Sequence, residues 1–345
     1  MLKRFYQKIF IAILREEDAH EVTVIGIKNK ELLYKEHKRF DGGDPSNPFF
    51  AYIQKFIELS PLHYIALLNP EPNQGAMEGC TLHDIDEEGE GGGAKMLCRN
   101  KKWMLYASLR ELENSQKRYR RVGLDFIFSP FSVIEHFFSD KIGGDFALYA
   151  LAQKDALSLA FFDKGRLEYA HHFSMSLPVA TEEDANTVSF SFDSIHEDEE
   201  EERGGIRLDD IESLDDLDII DDLDDLSDIA DLDALEEIAE FSEDTPTFEE
   251  QRGRDSHGKE LKEQMDRFND DYRQFELIQK TLSRFYGGEH CRGRFVETVY
   301  IADAYGSGSD LKRYLEEELF LNVIIRKLDL ADEVLALSQI EEEAL

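Results

Sequence analysis

The stretch VETVYIADAYGSGSDLKRYLEEELFLNVIIRKL, residues 296 to 328, constrains this chain more than any other. Val296, Val299, Tyr300 and Ile301 form a β-branched and aromatic run that Gly306 and Gly308 interrupt. Leu311, Tyr314, Leu315 and Leu319 then share one face of a helix that Ser309 can cap, and Val323 to Leu328 reads as a buried strand. A strand, a crossover helix and a returning strand make a parallel pair, so the fold is α/β. A glycine loop at such a corner lets backbone approach a ligand closely, which makes Gly306, Ser307 and Gly308 the candidate ligand-binding residues.

Upstream, one unit is written twice. The first copy has apolar runs at Ile9 to Leu14, Glu21 to Ile27 and Glu31 to Phe40, broken by REEDAH and KNK, and then the amphipathic PFFAYIQKFIEL. That pattern predicts a three-strand meander followed by a helix. The second copy runs FALYALA, ALSLAFF and RLEYAHHFSM, with turns at QKD and at Asp163-Lys164-Gly165. Between the copies, His63 to Asn69 reads as a strand, residues 107 to 121 as a charged helix, and Gly123 to Phe128 as a strand leading into the apolar helix VIEHFF.

This order of elements, with GLDFIFSPFSVIEHFF before the second meander and VYIADAYGSGSDLKRYLEEEL near the end, resembles the actin-like ATPase superfold. Within it the chain is similar to the PilM and GspL group of assembly proteins from type IV pilus and type II secretion machines. The resemblance implies a duplicated, ribonuclease-H-like core of mixed sheets flanked by helices. It divides the chain into a first subdomain at 1–142, a second-subdomain meander at 143–180, an acidic and disordered insert at 181–256, and the rest of the second subdomain at 257–345. In members that bind ATP, the first hairpin of each meander carries an Asp and a Gly-rich turn that hold phosphate and magnesium, and the late glycine loop packs on the adenosine, so the resemblance implies Gly306, Ser307 and Gly308 as cofactor-binding residues if a nucleotide binds.

The hairpins here depart from that pattern. The first, AILREEDAHEVTV, has no glycine to wrap phosphate and sets Glu16, Glu17 and Asp18 against it; the second, ALYALAQKDALSL, has no Asp-x-Gly. No G-x-S-x-G, H-E-x-x-H or Walker loop occurs either. The expectation is therefore a non-catalytic scaffold with no cofactor and no catalytic or metal-ligating residue. The resemblance implies as partners the cytosolic tail of an inner-membrane assembly protein and a pilus or secretion ATPase. It also implies a cytoplasmic location, peripheral to the inner membrane through those partners. Two rivals stay open: an actin-like ATPase of the same fold that binds ATP and magnesium, and an unrelated acidic adaptor.

Charge is concentrated in one place. Of a formal net of −36, residues 193 to 244 hold 25 Asp and Glu against Arg203 and Arg207 alone. Such a balance disfavours nucleic acid, because phosphate repulsion would have to be overcome by a local patch such as Lys117, Arg118, Arg120 and Arg121. Within the acidic stretch Leu208, Ile211, Leu214, Leu217, Ile220, Leu223, Leu226, Ile229, Leu232, Leu235, Ile238 and Phe241 recur every third residue. In an α-helix each step of three falls about 60° short of a turn, so no single apolar face forms. The segment reads as a disordered tether able to order on a partner.

Residues 257 to 286 give the opposite signal, with Leu261, Met265, Phe268, Tyr272, Phe275, Ile278, Leu282 and Phe285 spaced three or four apart. That is one apolar helical stripe, either docked on the chain's own sheet or paired in a homodimer. Cys80, Cys98 and Cys291 have no metal-like spacing and imply no disulfide framework, which suits a reducing cytoplasm. Asp84, Asp86, Glu88 and Gly89 imitate the start of an EF-hand loop, but Lys95 stands where a bidentate Glu is needed. His171 and His172, adjacent on a strand, face opposite sides of the sheet and so do not share a metal. The N-terminal apolar run Ile9 to Leu14 is too short to span a membrane, and nothing later is long enough.

Overall fold

The computed structural model describes residues 6–80, 93–175, 251–288, 293–306 and 309–344, with the side chains of 251–268 and of 309 outside the description. Chain contacts divide it into a unit of Met1–Val188 with Lys262–Leu345 and a unit of Ser189–Leu261. Everything below concerns the first of these, apart from the opening turns of one helix. The period-three acidic repeat, the EF-hand-like residues 84 to 89, Leu261, Met265, Phe268 and Cys291 lie outside the described residues or side chains.

Both meanders form where their apolar runs and polar breaks predict. Strands β1 (Lys8–Arg15), β2 (Ala19–Lys28) and β3 (Glu31–Asp41) are followed by α1 (Asn47–Ile57) and β4 (His63–Leu68). Strands β5 (Gln74–Glu78), β6 (Ala94–Arg99) and β7 (Trp103–Ser108) come next, then α2 (Leu109–Arg118), β8 (Phe126–Phe128) and α3 (Pro130–Phe137). The second half contains β9 (Ala147–Ala152), β10 (Ala156–Asp163), β11 (Arg166–Ser174), α4 (Gln251–Gly287), β12 (Thr298–Asp303), α5 (Ser309–Glu317), β13 (Asn322–Lys327) and α6 (Leu330–Ala344). The β10–β11 turn uses Lys164 at φ 50° and Gly165 at φ 75°, the pair of positive angles a tight hairpin needs.

Two five-stranded sheets result, ordered β3-β2-β1-β4-β8 and β11-β10-β9-β12-β13. Each has an antiparallel meander joined to parallel strands: β1 runs parallel to β4 as β9 does to β12. The duplicated mixed α/β core is thus present, and β12, α5 and β13 make the expected parallel crossover.

Strand alternation sorts the core into layers. Ile9, Ile11, Ile13, Val22 and Val24 face α1, packing on Phe49, Ile53 and Phe56. Phe10, Ala12, Tyr149 and Leu151 face inward from both sheets onto Phe131, Ile134, Val334 and Leu337 of α3 and α6. Leu159, Phe161, Val299 and Ile301 face outward onto Phe275, Ile278, Leu282 and Phe285 of α4 and onto Leu311 and Leu315 of α5. The described part of the α4 stripe therefore docks on the chain's own sheet. The helix begins at Gln251, inside the segment that the sequence reading gave to the acidic insert.

A third sheet, ordered β5-β7-β6, is absent from the sequence reading. It is inserted between β4 and α2, and Trp103 of β7, 1% exposed, meets Phe162 edge-on at 5.9 Å. Here the structure corrects the cysteine reading: Cys80, just past β5, is disulfide-bonded to Cys98 on β6, with Cα atoms 5.5 Å apart. Spacing could not reveal this, because β6 folds back beside Cys80 only through its pairing with β7.

Candidate functional site

Parallel strands place the ends of β4, β12 and β13 on the same side as the tips of the β1–β2 and β9–β10 hairpins, and a cleft of about 860 Å³ opens between them. Glu16, Glu17, Glu21, Glu71, Asp155 and Asp329 line it, against the cations Arg15, Lys35, Lys154 and Lys327. Carboxylates outnumber cations where an anionic ligand would enter.

Backbone donors at the hairpin tip beside this cleft are already taken. At the hairpin tips, the Glu17 N–H donates to the Asp155 carboxylate at 2.9 Å, tying one tip to the other. Lys154 adds ion pairs to Glu16 at 3.5 Å and Asp18 at 3.6 Å. Partial burial works against the Lys154 ammonium, but Glu16, Asp18 and Asp155 together hold its pKa above the ordinary lysine value. Arg15 is bound to Glu71 at 2.9 Å, and Arg39 bridges Glu16 and Glu21 at 2.8 and 2.9 Å.

The late glycine loop behaves the same way. Asp303, 5% exposed at the end of β12, accepts from the N–H groups of Tyr305 at 3.1 Å and Gly306 at 2.7 Å. Gly306 needs its missing side chain, since its φ is +86°. Ser307 and Gly308 lie outside the described residues. At the start of α5 the Leu311 N–H donates to Asp271 of α4 at 3.1 Å, so a carboxylate from a distant helix serves this helix terminus. Sequence reading considered only Ser309 for that role. The period of α4 does carry a signal, for Asp271 is a buried acid beside an apolar stripe.

Two imidazole pairs sit on the inner faces of the sheets beside the cleft. Thr23 Oγ1 lies 3.0 Å from His37 Nδ1, and Ser158 Oγ lies 2.8 Å from His172 Nδ1. His172 faces Ser158 in the register and His171 faces Leu159, so the two rings point to opposite sides of the sheet. Burial lowers both pKa values to about 4, with Arg284 and Lys280 adding to the effect at His171, and His171 adding to it at His172. Ser158 is fully buried, which keeps its hydroxyl from acting as an accessible nucleophile.

A second concavity of about 370 Å³ lies between β6, α2 and β8. Leu97 and Leu109 on its walls are 56% and 42% exposed. Because β8 ends its sheet, its outer edge is paired with no strand among the described residues, and Phe126, Ile127 and Phe128 line the groove along it.

Two mixed sheets, each built from a meander and parallel strands and enclosing paired helices, define an actin-like ATPase fold. Residues 148–343 match the family model described as "Domain of unknown function (DUF8341)", and residues 5–135 match "Domain of unknown function (DUF8569)". The first match spans more than half of the chain, which belongs to the DUF8341 family. No curated protein matches the chain. Among solved structures, it is similar to the PilM–PilN type IV pilus biogenesis complex, at 8% identity over 97% of this chain and 98% of that one, with a TM-score of 0.50. It also matches a Bacteroides thetaiotaomicron protein of actin-like ATPase fold and unknown function, at 10% identity over 99% of both chains, TM-score 0.44. A third match is the cytoplasmic domain of EpsL, an inner-membrane component of the Vibrio cholerae type II secretion system, at 7% identity over 97% and 95%, TM-score 0.38. At 8% identity the PilM–PilN likeness speaks to the fold alone. Among the described residues no helix is long and apolar enough to cross a membrane.

Proposed function

We propose that this chain is a non-catalytic scaffold of a type IV pilus or type II secretion-like assembly platform, peripheral to the inner membrane on its cytoplasmic side. It takes up a peptide tail of a membrane partner and couples it to a secretion or pilus ATPase. The observation that carries the reading is that carboxylates of the chain itself, Asp155, Asp303 and Asp271, accept from the backbone N–H groups of Glu17, Tyr305, Gly306 and Leu311. A phosphate would have to displace them and then face the remaining acids of the cleft.

The peptide would lie in the groove along β8. An extended segment can add to the free edge of a sheet by main-chain hydrogen bonds while its apolar side chains fill pockets such as that between Leu97 and Leu109. The PilM–PilN match, a complex in its own description, supports a partner-binding reading. The test is fluorescence anisotropy with labelled peptides tiled across the cytosolic tails of membrane proteins encoded beside this chain's gene. Saturable binding lost in Leu97→Asp is expected, whereas no binding by any tile contradicts the reading. A second reading, nucleotide binding by the same fold, is favoured by the size of the 860 Å³ cleft.

A further inference from the structure

We propose that the Cys80–Cys98 disulfide is a redox latch that sets the rigidity of one wall of the β8 groove. The inference rests on the groove reading above and supplies its regulation. Strand β6 is the wall in question and is weakly held: it ends its sheet, and none of its six residues is fully buried. Its non-covalent anchors are the ladder with β7 and the ion pairs of Arg99 with Glu135 at 3.0 Å and Glu341 at 3.5 Å. Leu97 and Arg99 line the groove, while Cys98 between them projects to the opposite face. The disulfide therefore grips β6 from behind without occupying the groove.

Cys98 is exposed, so a thiolate can reach it. A dithiol reductant attacks Cys98 Sγ, breaking the Sγ–Sγ bond and expelling the Cys80 thiolate; its second thiol then resolves the mixed disulfide. The reductant leaves as a cyclic disulfide, having given two electrons and two protons, and Cys80 and Cys98 end as thiols. A disulfide that forms in a reducing compartment is typically a sensor of this kind. Once it opens, β6 is an exposed edge strand with few buried contacts, the class of element that opens at low free-energy cost.

Alkylation of the denatured full chain, with and without prior reduction, counts the thiols: blocking only Cys291 before reduction and all three cysteines afterwards is expected. Hydrogen exchange on the native chain then compares the two states. Amides of residues 94–99 should exchange at least ~10-fold faster after reduction, with β1 and β9 unchanged, and Cys80→Ser/Cys98→Ser should match the reduced chain without reductant. Three reactive thiols before reduction, or equal exchange of β6 in both states, overturns the latch. The tail peptide that binds the oxidised chain should bind the reduced chain at least ~5-fold more weakly. Equal affinity overturns the latch while leaving the groove reading intact; peptide binding indifferent to Leu97→Asp overturns the groove reading itself.

Discussion

Lowering the pH should destabilise this protein chiefly through two half-buried imidazoles on β11. His171 and His172 have pKa values near 4 in the folded chain, against 6.5 for a free histidine, because burial disfavours the cation. Nε2 of His172 is buried with no hydrogen-bond partner among the described residues, so a proton placed there finds no acceptor. Above pH 6.5 the rings are neutral in both states and full stability is present. As the pH falls from 6.5 to 4 the unfolded chain takes up protons that the folded chain refuses, and stability is lost. At about 1.4 kcal/mol per pKa unit, each ring contributes up to about 3.5 kcal/mol, and the slope approaches about 2.7 kcal/mol per pH unit with both titrating. The two rings repel each other when charged, so the pair totals less than twice the single value. His20, also lowered by burial, adds in the same direction. Urea unfolding at pH 7.5, 6.0 and 5.0 measures this, with His171→Leu/His172→Asn as the control. The wild type should lose several kcal/mol between the end points and the variant markedly less. Equal pH slopes in the two proteins would refute the assignment.

Two further perturbations bear on the loop and the core. Asp303→Ala removes the acceptor of two N–H groups at a buried site and should cost about 3 to 5 kcal/mol in urea unfolding, whereas Asp303→Asn, which keeps an oxygen, should cost about half as much. Equal, small losses would show that the carboxylate does not hold the loop. Phe285, 1% exposed and stacked on Phe161 at 4.6 Å, anchors α4 to the second sheet. Phe285→Ala should cost about 3 to 5 kcal/mol by the same measure, and a loss under 1 kcal/mol would contradict that docking.

The parts of the fold that could be read in the sequence are those with local periodicity. The near-continuous apolar runs FALYALA and ALSLAFF, and the three-or-four spacing from Phe275 to Phe285, each reported surface that the sheets and α4 do bury, while Tyr272 at the head of that spacing stays 45% exposed. The small β5-β7-β6 sheet escaped because no residue of β6 is buried and β5 and β7 bury three in a row at one end only, so none of the three buries a face along its whole length. Helix α6 was missed too, although Asp329, whose carboxylate accepts from the Asp332 N–H at 3.0 Å, is an N-terminal signal in plain view. At the cleft, the sequence exposed the missing glycines and the surplus of acid at Glu16 to Asp18. It could not expose Asp155 and Asp271 as acceptors for Glu17 and Leu311, since those pairs are 138 and 40 residues apart in the chain.

The Gly306 corner carries the central claim, for it is the corner of an actin-like core where the Tyr305 and Gly306 N–H groups are answered by the protein's own Asp303 carboxylate. Thermal unfolding of the full chain in increasing Mg-ATP tests that claim most directly. A ligand at 100 times its dissociation constant stabilises the folded state by about 2.7 kcal/mol, enough to raise Tm by several degrees. The account predicts a Tm that does not move with Mg-ATP up to millimolar concentrations; a saturable, concentration-dependent rise would contradict it.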